Sequence, residues 1–324
     1  MTARHGRGLS PWSIVALGVV LVVGLPLLVM LGARGATRSA ADVPAPTPSP
    51  AVAPTPAPTE EPTPAPSPAP IAVVPPLQRG LAQAAVDAAQ ARAAGSTELA
   101  VAVLDRGTGE LAVGGRGNEP FYAASLSKLV VIVDVLDRRR LEGLQVTDAD
   151  LALFERALGP SDDSAMSAIW DRFDGPGAVD RVRQRLGLSG TSPPERAGQW
   201  GEVETTAADY VRVWKHVLDD MPPDDRDLLV GDLAAAPPVA RDGFDQAFGL
   251  LAPSVREGDG PGAVAKQGWM CCFSGRYYLH SAGAVGADRR FVVTLLTRMP
   301  RAEGWSQARS ELTDIARDTV AALA

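Results

Sequence analysis

The stretch Phe121-Tyr-Ala-Ala-Ser125-Leu-Ser-Lys128-Leu decides the fold assignment, because it places a serine and a lysine three residues apart. Lysine is scarce in this chain: of 31 lysine and arginine residues, only Lys128, Lys215 and Lys266 are lysines. A guanidinium cannot give up its proton in a protein, so a step that needs a neutral amine must use lysine. Ser125 and Lys128 are therefore the first candidates for catalysis.

The residues after Ser125 show the apolar spacing of a largely buried helix over 126–140. Ser125 would then lie at the helix amino terminus, where unpaired N–H groups and the helix dipole favour an anion. Lys128 would lie beside Ser125 on the same face, so its neutral amine could take the hydroxyl proton. A serine at a helix start is more often a simple cap, and the pair alone is a weak signal.

The pattern of the folded region predicts strands at both ends and helices between them. A hairpin is expected from strands 98–105 and 110–114 through the turn 106–109, and further strands at 263–271, 276–285 and 291–298. Helices are expected at 78–94, 126–140, 148–158, 164–173, 177–186, 206–221, 226–235 and 304–323. This order predicts an α+β fold with a five-stranded antiparallel sheet, flanking helices and a helical insert subdomain.

Three segments precede this domain. Residues 1–13 carry basic charges and are expected in the cytoplasm, and residues 14–33 contain no charge and are long enough to span a bilayer. We expect a single-pass membrane anchor, with a cleaved signal peptide and a secreted protein as the alternative. Residues 34–76, rich in Pro, Ala and Thr, predict an extended linker that holds the domain 77–324 outside the membrane.

The composition of the chain limits the classes of ligand and partner that it can bind. The net charge of −7 and the pI near 5.1 argue against nucleic acid. The histidines show no metal-ligand spacing, so neither a metal site nor a cofactor is expected. Cys271 and Cys272 are the only cysteines, so no cysteine directly follows the apolar span to carry a lipid. We expect both to be buried small apolar residues, with a strained bond between them, formed in an oxidising compartment, as the alternative.

Two further motifs follow the first. Ser161-Asp-Asp163 comes after a helix pattern, and Lys266-Gln-Gly268 lies on an expected strand about a hundred residues later. With the hairpin before Ser125, this order resembles the superfamily of serine β-lactamases and penicillin-binding proteins, whose motifs are S-x-x-K, S-D-N and K-T-G. The resemblance covers residue 78 to the end and implies a class A β-lactamase-like serine hydrolase domain, here in a membrane-anchored member.

The resemblance implies a role for each motif residue. Ser125 would be the nucleophile, Lys128 its general base, and Ser161 the hydroxyl that passes a proton to the leaving nitrogen. Lys266 would hold a substrate carboxylate by its charge. The backbone N–H groups of Ser125 and Trp269 would form an oxyanion hole. Simpler alternatives are a helix cap for Ser161 and an edge-strand charge for Lys266.

The motifs depart from the family at several points. Asp163 stands where the family has Asn, and if ionised it would strengthen carboxylate binding but weaken Lys128 as a base. Gln267, beside Gly268, replaces Thr or Ser, although its amide could still donate to a substrate carboxylate. Glu195 is the nearest candidate for the carboxylate that releases an acyl-enzyme, with a solvated loop charge as the simpler alternative.

Three functions remain open at this stage. The first is an extracytoplasmic serine hydrolase that acts on a peptidoglycan-like D-alanyl peptide or a related acyl substrate. The second is a β-lactamase, which requires a working deacylation base such as Glu195. The third is a β-lactamase fold that has lost catalysis and binds a ligand in the old groove.

Overall fold

The folded region is a sheet with helices on both faces. The computed structural model describes residues 77–256 and 262–324, and their elements belong to the compact unit Ile71–Ala324. The strands are β1 (Glu98–Asp105), β2 (Glu110–Gly115), β3 (Phe121–Tyr122), β4 (Glu204–Thr205), β5 (Val264–Phe273), β6 (Arg276–Val285) and β7 (Phe291–Pro300). The helices are α1 (Leu81–Arg92), α2 (Ser127–Glu142), α3 (Asp148–Leu158), α4 (Asp163–Arg172), α5 (Gly175–Leu186), α6 (Ala207–Lys215), α7 (Pro223–Ala234), α8 (Pro253–Arg256) and α9 (Gly304–Ala321).

The main sheet has the order β2-β1-β7-β6-β5, and every neighbouring pair is antiparallel. The first hairpin of the domain therefore lies beside the last strand, with Glu98 opposite Arg298 and Asp105 opposite Phe291. The expected α+β fold with a five-stranded antiparallel sheet is confirmed. β3 and β4 form a separate short pair that leads the chain into the nucleophile turn.

Both faces of the sheet are buried, and β1 shows why the chain needs a helical layer on each side. Its residues alternate between two apolar clusters: Ala100 and Ala102 point into one, while Val101 and Val103 point into the other. The first cluster includes side chains of α2 to α7, and the second includes α1 and α9. The sequence of a strand that is buried on both faces is a nearly continuous run of apolar residues, and this is the case for β1.

A few element boundaries differ from the sequence expectation, for local reasons. The expected helix 206–221 ends as an α-helix at Lys215 and continues as a π-helical turn, His216–Asp220. α7 begins at Pro223, three residues early, because proline fits the first turn of a helix. The helical insert expected between the front and back strands of the sheet is present as α2 to α7.

Arginine and aspartate pairs hold the helical insert together. Asp134 and Asp137 of α2 are buried, and they accept hydrogen bonds from Arg181 and Arg185 of α5 at 2.8 and 2.7 Å. His216 donates to Asp137 at 3.0 Å. Buried carboxylates need such partners, because an unpaired charge in the interior is strongly destabilising. The pairs fix α5 against the helix that carries the first motif.

His280 in the middle of β6 connects the sheet to the strand before the nucleophile. Its Nε2 donates to the carbonyl oxygen of Tyr122 at 2.8 Å, and its Nδ1 accepts from the backbone N–H of Thr297 at 3.2 Å. This pattern requires the neutral ring, because both nitrogens of a charged ring would be donors. Burial lowers the pKa of His280 from 6.5 to about 4.

The expected cytoplasmic segment 1–13, membrane anchor 14–33 and linker 34–76 lie outside the described residues. Within 77–256 and 262–324, no helix is both long and apolar enough to cross a bilayer.

We predict that His280 makes the domain sensitive to mild acid. Between about pH 6.5 and 4 the unfolded chain binds a proton at His280 and the native state does not, so stability falls as the pH falls. The difference corresponds to about 3 kcal/mol of unfolding free energy over that interval. Urea denaturation of the wild type and of His280→Gln at several pH values between 7 and 4 measures it.

The carboxylates titrate in both proteins. The difference between the slopes of unfolding free energy against pH for wild type and His280→Gln therefore isolates the contribution of His280. Parallel slopes for wild type and variant would contradict the prediction.

Candidate active site

Ser125 lies on a tight turn between β3 and α2. The turn Ala124–Leu126 is a single 3₁₀ turn, and α2 continues from it. No capping hydrogen bond from a side chain occurs at either start, and within the described part of the chain the Ser125 hydroxyl has no hydrogen-bond partner. The simple alternative of a helix cap is therefore wrong for Ser125. Its hydroxyl faces a cavity instead.

A buried tyrosine is hydrogen-bonded to the backbone of the turn that carries Ser125. Tyr210 of α6 donates its hydroxyl to the backbone carbonyl of Leu126 at 3.0 Å, and burial raises the pKa of Tyr210 well above 10. Ser127 donates to the carbonyl of Ala124 at 2.8 Å. These bonds fix the backbone on both sides of Ser125.

Lys128 is the centre of a buried hydrogen-bond network. Its side chain is 0% exposed, and Nζ donates to the Ser161 carbonyl at 2.7 Å, the Ser161 Oγ at 3.1 Å and the Asp163 Oδ1 at 2.7 Å. An ammonium has three N–H donors, so these acceptors use all of them. The pairing with Asp163 is the one anticipated from the altered second motif.

Ser161 is the meeting point of the two motif lysines. Lys266 Nζ donates to Ser161 Oγ at 2.9 Å, and Lys128 Nζ donates to the same oxygen at 3.1 Å. A hydroxyl has two acceptor lone pairs and one proton, so with both lone pairs occupied its own proton remains free to be donated. This is the requirement for a residue that delivers a proton to a leaving group.

Ser161 is also placed by an unusual backbone conformation. Its φ is 56°, in the left-handed region that costs a non-glycine residue free energy and that is concentrated at functional sites. The cap of α4 is Asp162, which accepts from the backbone N–H groups of Ser164 and Ala165. The simpler role of helix cap therefore belongs to Asp162 and not to Ser161.

Lys266 is buried although it lies on β5, at the edge of the sheet. It is 1% exposed, and its amine also donates to the carbonyl of Gln267 at 2.9 Å. An edge-strand charge that discourages pairing would be solvated, so that alternative is wrong for Lys266.

Burial makes both amines easier to deprotonate. It lowers the pKa of Lys128 below 10.5, an effect that the neighbouring Asp163 carboxylate partly opposes. It lowers the pKa of Lys266 much further, and the adjacent Lys128 charge acts in the same direction. Two ammonium groups beside one hydroxyl repel each other, so the arrangement favours a neutral amine on Lys266.

The strand β5 runs close to the nucleophile turn. A Cβ added to Gly268 would come within 3.0 Å of the Ala123 carbonyl and 3.3 Å of Leu126 Cγ, so a side chain there would push the strand away. The next residue, Trp269, lines the same cavity as Ser125. The oxyanion-hole role expected for its backbone N–H stays a prediction.

The cavity in front of Ser125 has a volume of about 350 Å³. Its lining combines small, aromatic and polar residues: Ala124, Ser125, Asp163, Gly198, Gln199, Trp200, Gly201, Trp269 and Met270. Asp163 is the only charged residue among them. The size is within the range of small-molecule binding sites.

Two expected site residues lie elsewhere. Glu195 is exposed on the loop and does not line the cavity. Gln267 is 1% exposed, and its amide nitrogen donates to the carbonyl of Phe248, so it is held inside the protein. One hydrogen-bond network joins Lys128, Ser161, Asp163 and Lys266. One cavity is lined by Ser125, Asp163 and Trp269, so Asp163 belongs to both groups, whereas Glu195 and the Gln267 amide belong to neither.

Sequence reasoning did not assign two other residues at the site. Trp200 lies with its ring centroid 5.0 Å from Lys128 Nζ, and it covers that amine on the cavity side. Asp242 accepts from the indole N–H of Trp269 at 3.0 Å, and its charge favours protonation of both lysines. Trp200 lies in the same loop as Glu195, but no pattern in the sequence indicates that its ring lies beside Lys128.

The cysteines differ from expectation. Cys271 and Cys272 form a disulfide, Cys271 is exposed and Cys272 is half-buried. The regular pairing of β5 with β6 breaks between Met270 and Phe273, and the two cysteines occupy this irregular stretch. The alternation that would point them to opposite faces therefore does not apply here.

Comparison with known proteins adds a close sequence relative. The chain is 34% identical over 232 residues to the protein named "Putative lipoprotein LppW" from Mycobacterium tuberculosis and from Mycobacterium bovis, covering 70% of this chain and 71% of the relative. The chain belongs to the LppW family. No family model matches the sequence.

Solved structures similar to this LppW-family chain are class A β-lactamases. One from Bacteroides cellulosilyticus has a TM-score of 0.59 at 15% identity, covering 76% of this chain and 99% of that chain. TLA-3 extended-spectrum β-lactamase has a TM-score of 0.59 at 13% identity, covering 75% and 99%. A β-lactamase from Chitinophaga pinensis has a TM-score of 0.58 at 13% identity, covering 76% and 100%. The serine β-lactamase and penicillin-binding-protein fold is confirmed.

We predict that Asp163 restrains the base at this site. Asp163→Asn removes the carboxylate that favours the Lys128 ammonium, so the pKa of Lys128 falls further and the neutral amine is present at lower pH. We expect Ser125 to react with an uncharged fluorophosphonate about tenfold faster at pH 7, with the pH–rate profile shifted toward acid. Labelling rates measured between pH 5 and 10 test this.

Asp171→Asn is the matched control, because it removes an exposed carboxylate from the same helix, α4. It should leave the profile unchanged. A profile for Asp163→Asn that coincides with the wild type or moves to higher pH would contradict the prediction.

Proposed function

We propose that the protein is a serine hydrolase that forms an acyl-enzyme on Ser125. The observation that carries the proposal is the convergence of Lys128 and Lys266 on the Ser161 hydroxyl, at 3.1 and 2.9 Å. Ser125 lines a cavity together with Asp163, the partner of Lys128. A passive groove does not need two buried amines and a strained serine at one point, because each costs stability.

The proposed reaction uses each of these groups. Ser125 Oγ attacks the carbonyl carbon of the substrate, and its proton passes to the neutral amine of Lys128. The bond to the leaving group breaks, and Ser161 donates its free proton to the departing atom. Ser161 regains a proton from a neighbouring lysine. Water then cleaves the ester, which returns the proton to Ser125.

The resemblance suggests a peptidoglycan-like D-alanyl peptide or a related acyl compound as the substrate. We also propose that the reaction takes place outside the membrane, with residues 14–33 as the anchor. The mycobacterial relatives are named as lipoproteins, but the cysteines of this chain lie on β5, so the anchor proposed here is the apolar segment.

Asp163 bears on both alternatives. Among the described lining residues it is the one carboxylate, and it is paired with Lys128 and so is not free to activate water, so a β-lactamase is less well supported than a slower acyl-transfer enzyme. The same pairing favours the ammonium form of Lys128, which is what a catalytically impaired binding module would show.

We predict a covalent adduct on Ser125. Incubation of the purified protein with an uncharged fluorophosphonate should add the phosphonyl mass to the peptide that contains Ser125, because Oγ displaces fluoride there. Ser125→Ala should give no adduct, and Lys128→Met should slow labelling by about 100-fold or more, since it removes the base. Ser189→Ala is the matched control, because it removes an exposed serine hydroxyl that does not line the cavity, and it should label like the wild type.

Absence of an adduct on the wild type, under conditions that label a reference hydrolase, would leave the binding module as the function. Rapid turnover of a β-lactam that is lost in Glu195→Gln would instead support the β-lactamase.

We predict that the anchor retains the protein at the membrane. The full chain should sediment with membranes, and a variant lacking residues 14–33 should not, because it lacks the uncharged span. External protease should degrade the domain in intact spheroplasts. A soluble full-length protein, or one protected until lysis, would contradict the proposed location.

A further inference from the structure

The charge that the cavity presents to a ligand is negative. Asp163 is the only charged residue lining it, and its side chain is 62% exposed. Its partner Lys128 is 0% exposed and lies on the far side of the carboxylate. A ligand therefore meets the anionic end of this ion pair.

The second lysine is no more accessible. The Lys266 amine is buried and donates to Ser161 Oγ and the Gln267 carbonyl at 2.9 Å each. The ring of Trp269 lies 5.9 Å from the same amine. Burial also favours its neutral form, so a carboxylate entering the cavity finds neither an exposed ammonium nor a full charge on Lys266.

Besides Ser125 and Asp163, the side chain with polar atoms that can hydrogen-bond a ligand among the described lining residues is the neutral amide of Gln199, together with the indole groups. Gln199 lines it from the loop that carries Trp200. The other glutamine near the motif, Gln267, donates its amide to the Phe248 carbonyl and cannot reach a ligand without breaking that bond. Hydrogen bonding in the cavity therefore suits an uncharged amide or ester.

Four ionisable groups act together at the site. Asp163 and Asp242 both act on the two lysines and favour their charged forms. Asp162 also favours the Lys128 ammonium, but Arg156 neutralises it. With Lys266 neutral, the Lys128 ammonium is the cation that balances Asp163 and Asp242, and this balance is lost when Lys128 is deprotonated to act as a base. An anionic substrate is repelled most strongly in the state that reacts.

We propose that the site is selective for acyl esters and amides whose leaving group carries no carboxylate. This inference rests on the proposed function and narrows its substrate class. It excludes peptides that release a free amino acid such as D-alanine, and it keeps acyl esters and amides with an uncharged leaving group. It departs from the expectation that Lys266 holds a substrate carboxylate, and the support for the departure is the burial of that amine and its hydrogen bonds to Ser161 and the Gln267 carbonyl.

Two thioesters that differ only in the charge of the leaving group test the proposed selectivity. N-acetyl-D-alanyl thioglycolamide and N-acetyl-D-alanyl thioglycolate differ only by an amide in place of a carboxylate on the leaving group. In both, Ser125 Oγ forms the new ester bond, the carbon–sulfur bond breaks, and Ser161 supplies the proton of the released thiol. We expect kcat/KM for the neutral compound to exceed that for the anionic one by at least about tenfold.

The ratio of the two rates should depend on Asp163. Asp163→Asn removes the exposed carboxylate, so the preference should shrink to about threefold or less, whatever happens to the absolute rates. Asp171→Asn, the exposed control on α4, should keep the wild-type ratio. An equal or higher rate for the anionic thioester in the wild type would overturn the proposal.

Binding to an inactive variant separates this inference from the proposed function. In Ser125→Ala the affinities of N-acetyl-D-alanyl-glycinamide and N-acetyl-D-alanyl-glycine can be compared by calorimetry or by competition. Tighter binding of the amide supports the charge preference even if the wild type forms no acyl-enzyme. Equal affinities, tighter binding of the carboxylate, or no measurable binding of either compound would overturn it.

Discussion

Two lysine amines that share one serine hydroxyl form the contact on which this site depends. Moving an ammonium out of water is expensive, and moving two to the same point adds their mutual repulsion. The protein offsets this with the Asp163 carboxylate on one amine, carbonyl acceptors on both, and partial deprotonation. The strained backbone of Ser161, the cap at Asp162 and the position of β5 beside the nucleophile turn all serve to hold this contact.

The fold was largely predictable because its signals are local. The hairpin 98–115, the helices on either side of Ser161 and the three final strands each show their own periodicity, and the bounds agree to within a few residues. The order of the three motifs then identifies the superfamily without any knowledge of side-chain contacts. Small differences, such as the π-helical turn after Lys215, reflect packing that no short window of sequence contains.

The site was predictable only in part, because its members come from distant segments. Ser125, Lys128, Ser161 and Lys266 could be named from their motifs, whereas Trp200 and Asp242 lie near the amines for reasons of tertiary structure alone. The motif position of Gln267 suggested contact with substrate, but its side-chain amide donates to the carbonyl of Phe248 inside the protein. The cysteine pair was misjudged because a regular strand was assumed where β5 becomes irregular.

The scarcity of lysine has a further consequence for the surface of the domain. With Lys128 and Lys266 buried, Lys215 is the one lysine side chain that solvent reaches, at 48% exposure, and it lies between Asp219 and Asp220. Guanidinium groups supply the other side-chain cations and are poor nucleophiles at neutral pH. The surface of the domain therefore offers reactive acyl compounds a single lysine ε-amino group to acylate.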